Sequence, residues 1–208
     1  MNLIDRRTLL AGTMVTAATI ATPAAAQTMV KGHFPLPQGF ERFPIWPGKA
    51  PGGDHVTVQE EEGLRRPDSA PDDGVFAHVT TPTLTLLRPE AVGARPNGAA
   101  VLLIPGGGYS RVAIGHEGYN VSRRLAAAGY VCFSLLYRLP ADGWAAGAEA
   151  PLQDAQRALR LVRSLSVREK FDANRVGVVG FSAGGHLAGS LATRHAEQVY
   201  APADEADR

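Results

Sequence analysis

The stretch Arg175-Val176-Gly177-Val178-Val179-Gly180-Phe181-Ser182-Ala183-Gly184-Gly185-His186 decides the fold. Its first half is a short apolar run of the kind that forms a strand buried in a sheet. Its second half is rich in small residues from Ala183 to about His195 and reads as a helix packed closely on that sheet. The G-x-S-x-G sequence Gly180–Gly184 falls at the junction, where a strand must turn sharply into a helix. Glycine on each side of Ser182 is required there, because a side chain would collide with the neighbouring strand or helix. The turn holds the hydroxyl above the carboxyl end of the strand, and the helix N-terminus beneath it offers free N–H groups to developing negative charge. Ser182 is therefore a candidate nucleophile; the alternative is a structural serine.

Working outward, strand patterns occur at about Val75–Val79, Thr83–Leu87, Ala99–Ile104 and Val131–Tyr137. A helix is predicted over about Glu117–Ala128, stopped by Gly129 in the position of a helix C-terminal glycine. Leu152, Ala155, Leu159, Val162 and Leu165 recur at helical spacing, with Arg157, Arg160 and Arg163 on other faces. Asp154 reads as a helix-start charge pairing along the helix with Arg157. This alternation predicts an α/β fold: a mostly parallel sheet with helices on both faces.

Ile104-Pro105-Gly106-Gly107-Gly108-Tyr109 closes another strand with three glycines in succession. It lacks the Lys-Ser/Thr of a phosphate cradle and the spacing of a dinucleotide loop. It does suit an oxyanion hole, in which Gly107 and Gly108 would act with the N–H of Ala183; the alternative is a plain tight turn. Each such donor lowers an acyl-transfer barrier by about 3–4 kcal/mol. Tyr109 and His116 are candidate substrate contacts. Tyr109 could equally be packing, and His116 a loop or cap residue or a substitute base. His186 reads as a hydrogen-bonded structural residue rather than a base. His195 lies about 20 Å along the same helix from Ser182 at 1.5 Å per residue, too far to reach it.

Composition narrows the remaining classes. The chain has 208 residues, 45% hydrophobic and 20% charged, so it is globular rather than disordered. With 21 Lys+Arg against 20 Asp+Glu, no charge excess favours a nucleic-acid partner. Cys132 is the single cysteine, which excludes an intrachain disulfide and Cys-pair zinc sites. Asp5-Arg6-Arg7-Thr8-Leu9-Leu10 opens a stretch uncharged from Thr8 to Val30, in which Ala24-Ala25-Ala26 supplies a small-residue cleavage pattern, as in a twin-arginine export signal over residues 1–26. The alternative is an N-terminal membrane anchor, which Pro23 and the many Thr residues weaken. Residues 27–53 form a Pro/Gly-rich extended leader, and residues 54–208 the domain. The expected location is periplasmic or secreted, with no stable membrane association once the signal is removed.

The two glycine motifs, with Tyr137-Arg138-Leu139-Pro140, Asp154-Ala155 and Ile45-Trp46-Pro47-Gly48-Lys49-Ala50-Pro51-Gly52, resemble the α/β-hydrolase superfamily. The resemblance runs from about Ile45 to His195. It is nearest the esterase/lipase branch that includes bacterial acetylxylan-esterase-like carbohydrate esterases. It implies a serine hydrolase of carboxylic esters, among them acetyl groups on polysaccharide or oligosaccharide, with no metal or organic cofactor. Prolyl-oligopeptidase-like peptidases share the elbow, so a peptidase is an alternative. In this superfamily the triad runs Ser, then Asp or Glu, then His. The sequence after Ser182 holds no later strand to carry the last two. The expectation is thus a hydrolase fold lacking its C-terminal strands, with its acid and base in sequence not shown and Arg175–Gly180 left as an open edge. A catalytically inactive chain that only binds ligand, or does not fold, is the rival expectation.

Overall fold

The computed structural model describes residues 29–208. The expected signal, residues 1–26, lies outside them. The elements run β1 (Val30–Lys31), β2 (Phe40–Pro44), β3 (Glu61–Leu64), β4 (Gly74–Ala77), β5 (Thr83–Leu87), β6 (Ala100–Ile104), α1 (Asn120–Ala127), β7 (Val131–Leu136), α2 (Ala150–Ser164), β8 (Val176–Gly180) and α3 (Ala183–Thr193). The main sheet has the order β2-β5-β7-β6-β8, and a small antiparallel sheet has the order β1-β3-β4. In the main sheet β7, β6 and β8 are parallel, whereas β2 pairs antiparallel with β5 and β5 with β7. The sheet is therefore mixed, with its parallel half around the glycine motifs.

Every residue of β5, β6 and β7 is buried, which explains their continuous apolar runs: both faces of these strands are covered. β4 begins where the Val75–Val79 pattern was expected but belongs to the small sheet. Phe40–Pro44, within the leader, is a strand of the main sheet. The helix expected over Glu117–Ala128 starts as a π-helical turn, Ile114–Tyr119, and continues as α1. Gly129 ends it at φ 92°, with its own N–H donating to Ala126 O and that of Tyr130 to Leu125 O.

Asp154 corrects the sequence reading. It is fully buried and pairs with Arg138 rather than Arg157, at 2.9 Å, with both side chains wholly inaccessible. The carboxylate also accepts the Arg138 backbone N–H (2.8 Å) and the Trp46 indole N–H (2.8 Å). Arg138 donates onward to Pro51 O (2.7 Å) and lies over the Trp144 ring at 4.9 Å. One buried ion pair thus clamps the leader onto the loop after β7 and onto α2. Arg157 is likewise buried: it donates to Ile45 O (2.8 Å) and pairs with Asp204 (2.5 Å) and Asp207 (3.0 Å). Spacing placed Arg157 on a polar face because periodicity does not register a chain segment that later covers that face.

Candidate active site

The carboxyl ends of β6 and β8 lie side by side and carry the two glycine motifs. Phe181 N–H donates to Ile104 O (3.1 Å), which stitches one turn to the other strand. Ser182 is exposed, with φ 49° and ψ −119°. A non-glycine residue there carries about 1–3 kcal/mol of backbone strain, and such strain concentrates at functional sites. Close approach explains the flanking glycines. A Cβ at Gly180 would stand 2.3 Å from Gly184 O, and one at Gly184 2.0 Å from Ile104 O. The helix then starts at once, with His186 N–H donating to Ser182 O.

The Gly106–Gly108 loop is pinned peptide by peptide. Pro105 O accepts the Tyr137 hydroxyl (2.8 Å), and Gly106 O accepts Ala113 N–H (2.9 Å). Gly107 O accepts the N–H groups of Ser110 and Arg111, and also Ser110 Oγ–H. In a trans peptide the N–H points opposite to the C=O. The Gly107 N–H therefore points away from Ala113, and the Gly108 N–H away from Ser110. These two N–H groups and that of Ala183 have no acceptor among the described residues. The loop closes against the serine: a Cβ at Gly106 would lie 3.0 Å from Ser182 Cβ. The structure thus brings Ser182, Ala183 and the glycine loop together, with spare donors at a strand-to-helix turn. Such an arrangement can hold an exposed hydroxyl beside sites for an anionic oxygen.

Tyr109 stands differently from an open pocket wall. It has φ 57°, its hydroxyl is hydrogen-bonded to His186 Nδ1 (3.0 Å), and its ring meets Tyr137 and His186 edge-on. Burial raises its hydroxyl pKa, so it stays protonated. Tyr109 therefore ties the glycine loop to the first turn of α3, and His186 is hydrogen-bonded, as its motif suggested, though exposed. His116 is exposed on the π-helical turn, on the rim of a cleft of 520 Å³ that Phe181, Glu117 and Arg124 also line. The other paired histidines bond elsewhere: His195 to Ala192 O, His78 to Asp142 and His33 to Glu62. Among the described residues no histidine is hydrogen-bonded to Ser182, no cluster of His, Cys, Asp and Glu could hold a metal ion, and no helix is long and apolar enough to cross a membrane.

Glu117 is the site residue that sequence reading missed. Its Oε2 accepts the Gly106 N–H at 2.6 Å. The available signal was indirect: Gly106, the buried glycine of the loop, needs an acceptor for its N–H, and Glu117 is the first carboxylate after the loop.

The sequence model of BD-FAE matches residues 88–205. The chain belongs to the BD-FAE family. It is an α/β-hydrolase of the esterase type. This BD-FAE chain is 38% identical over 104 residues to an acetylxylan esterase of Xylanibacter ruminicola, covering 50% of this chain and 21% of that protein. It is 35% identical over 92 residues to endo-1,4-beta-xylanase B of Butyrivibrio fibrisolvens, covering 44% and 14%. Among solved structures it is similar to an acetyl ester-xyloside bifunctional hydrolase from Caldicellulosiruptor lactoaceticus. The TM-score is 0.52 and the identity 32%, over 77% of this chain and 48% of that one. The BD-FAE chain thus spans under half the length of each of these proteins.

Proposed function

We propose that this chain carries the acyl-transfer site of an exported serine esterase acting on acetyl groups of xylan-type polysaccharide or oligosaccharide. The observation that carries the reading is the strained, exposed Ser182 at the end of β8, facing a loop whose Gly107 and Gly108 N–H groups are unspent. In the proposed reaction Ser182 Oγ attacks the ester carbonyl carbon as its proton passes to a base. The carbonyl electron pair moves to oxygen, held by the N–H groups of Gly107, Gly108 and Ala183. Collapse of this intermediate expels the sugar alcohol, which takes up a proton, and leaves acetyl on Ser182. Water then attacks the acyl group, releasing acetate and returning the proton to Oγ. The names of the similar proteins support xylan-type acetyl esters as the substrate class. The Arg6-Arg7 segment supports export.

No histidine partners Ser182 among the described residues, and loss of a triad histidine costs about 10⁶ in kcat. Turnover by these 208 residues alone is therefore expected to be slow. The same observation favours a second reading, ligand binding without turnover. Incubation of the folded chain with a fluorophosphonate probe and with p-nitrophenyl acetate separates the two. The esterase reading expects label on Ser182 and acetate release that is abolished in Ser182→Ala. An unlabelled, folded chain, or residual activity unchanged in Ser182→Ala, overturns it.

A further inference from the structure

We infer that Glu117 is a positioning residue that sets the aim of the glycine loop toward Ser182. The loop's other pins are backbone groups or the Tyr137 and Ser110 hydroxyls. Among the described residues Glu117 supplies the one charged acceptor, through a 2.6 Å bond from Gly106 N–H. A hydrogen bond to an ionised acceptor is shorter and roughly twice as strong as a neutral one. The bond acts on the peptide immediately before the one that carries the Gly107 N–H. The Pro105–Gly106 peptide is held at both poles, its oxygen by Tyr137 and its N–H by Glu117, so it cannot rotate without losing a bond. The next peptide, whose oxygen accepts Ala113 N–H, inherits that orientation.

The carboxylate is placed by the π-helical turn Ile114–Tyr119. That turn is anchored where Glu117 N–H donates to Ala113 O, and Ala113 is the same residue whose N–H holds Gly106 O. Loop and carboxylate are thus fastened to one another through Ala113. Glu117 Oε2 and Ser182 Cβ both flank the point where a Gly106 Cβ would stand, at 3.1 and 3.0 Å, so Oε2 lies within about 6 Å of Ser182 Cβ. Glu117 does not touch the reacting atoms through this contact, because Oε2 is occupied by the Gly106 N–H. Its effect on chemistry passes through the loop.

The kinetic arm of the test rests on the serine-esterase reading; the spectroscopic arm does not. Glu117→Gln keeps an acceptor oxygen, whereas Glu117→Met removes it at similar volume. In the full chain, Glu117→Met is expected to slow fluorophosphonate labelling of Ser182 by about 10- to 100-fold, the range over which mis-set catalytic geometry acts. With p-nitrophenyl acetate the loss should appear in kcat, with KM little changed. Glu117→Gln should recover labelling to within a few-fold of the parent chain. In ¹H–¹⁵N spectra Glu117→Met should speed exchange of the Gly106 amide and shift the Gly107 and Gly108 amides, while the amides of β7 stay in place. If the parent chain fails to label, the esterase reading fails and the spectra alone decide the role of Glu117. Unshifted Gly107 and Gly108 amides, or a Glu117→Met chain that labels as fast as the parent, overturn the inference. Should Glu117→Met not fold, Glu117→Gln decides: a neutral acceptor must move the Gly106 amide proton upfield, and an unmoved resonance overturns it.

Discussion

Replacing Asp154 with leucine tests the Arg138 clamp. In Asp154→Leu the Arg138 guanidinium stays in place with no access to solvent and no counter-charge. Breaking a buried pair by removing one partner costs about 3–5 kcal/mol, because the remaining charge is left uncompensated. Two further donors lose their acceptor, the Arg138 backbone N–H and the Trp46 indole, so the upper part of the range applies. Against a whole-domain stability of about 5–15 kcal/mol this is a large fraction. At about 2–4 °C per kcal/mol for a chain of this size, the thermal midpoint should fall by roughly 10–20 °C. Burial holds the Asp154 carboxyl above the usual range, an effect that Arg138 offsets only in part. The pair is therefore costly to assemble as well as costly to break. The double variant Arg138→Met/Asp154→Leu should consequently recover about 2 kcal/mol relative to Asp154→Leu. Urea unfolding followed by tryptophan fluorescence reads the cluster directly, since the chain's two tryptophans, Trp46 and Trp144, both stack on Arg138. A single-variant loss below about 1 kcal/mol, or a double variant as unstable as the sum of its parts, would refute the reasoning.

Gly184→Ala should destabilise by about 3 kcal/mol or more, since its Cβ would stand 2.0 Å from Ile104 O. Gly177→Ala, whose Cβ meets nothing within 4 Å, should be neutral or slightly stabilising; equal urea midpoints for the two variants would contradict the elbow geometry. The tail is expected to detach in acid. Arg157 holds the Asp204 carboxyl below its ordinary range; burial raises that of Asp207, but its hydrogen bonds from Tyr200, Ala203 N–H and Arg157 outweigh this. A depressed folded pKa gives stabilisation that is complete above the unfolded value near 3.9 and lost as pH falls through the folded one. Amide exchange of residues 201–208 should therefore rise below about pH 4, after correction for intrinsic rates. Exchange that is flat with pH, or that rises toward neutral pH, would count against the Arg157 anchor.

Legibility in the sequence followed locality. The strands β6 and β7 were readable because burial on both faces imposes largely apolar runs, and Gly129 because a left-handed helix stop favours glycine; β8, expected as a buried strand, is half exposed. The turn around Ser182 was readable because steric contact restricts Gly180 and Gly184, which leaves a trace in neighbouring letters. Asp154 and Arg157 were misread because their partners, Arg138 and Asp204, lie 16 and 47 residues away. Helical spacing reports only what one turn offers the next. Glu117 was overlooked for a similar reason: its acceptor role exists only once the glycine loop has folded back over it. The antiparallel half of the sheet was hidden because Phe40–Pro44 carries Glu41 and Arg42 within a Pro/Gly-rich stretch, as an edge strand can.

Strand β8 hydrogen-bonds β6 on one side and no other strand among the described residues, and Val179 remains 39% exposed. Among the described residues, the strand that carries Ser182 is therefore hydrogen-bonded along one edge only, with α3 packed against it. At a reactive centre an error of 1 Å in placement can cost 10²-fold in rate. Whatever braces the outer edge of β8 would act on the reaction without touching substrate.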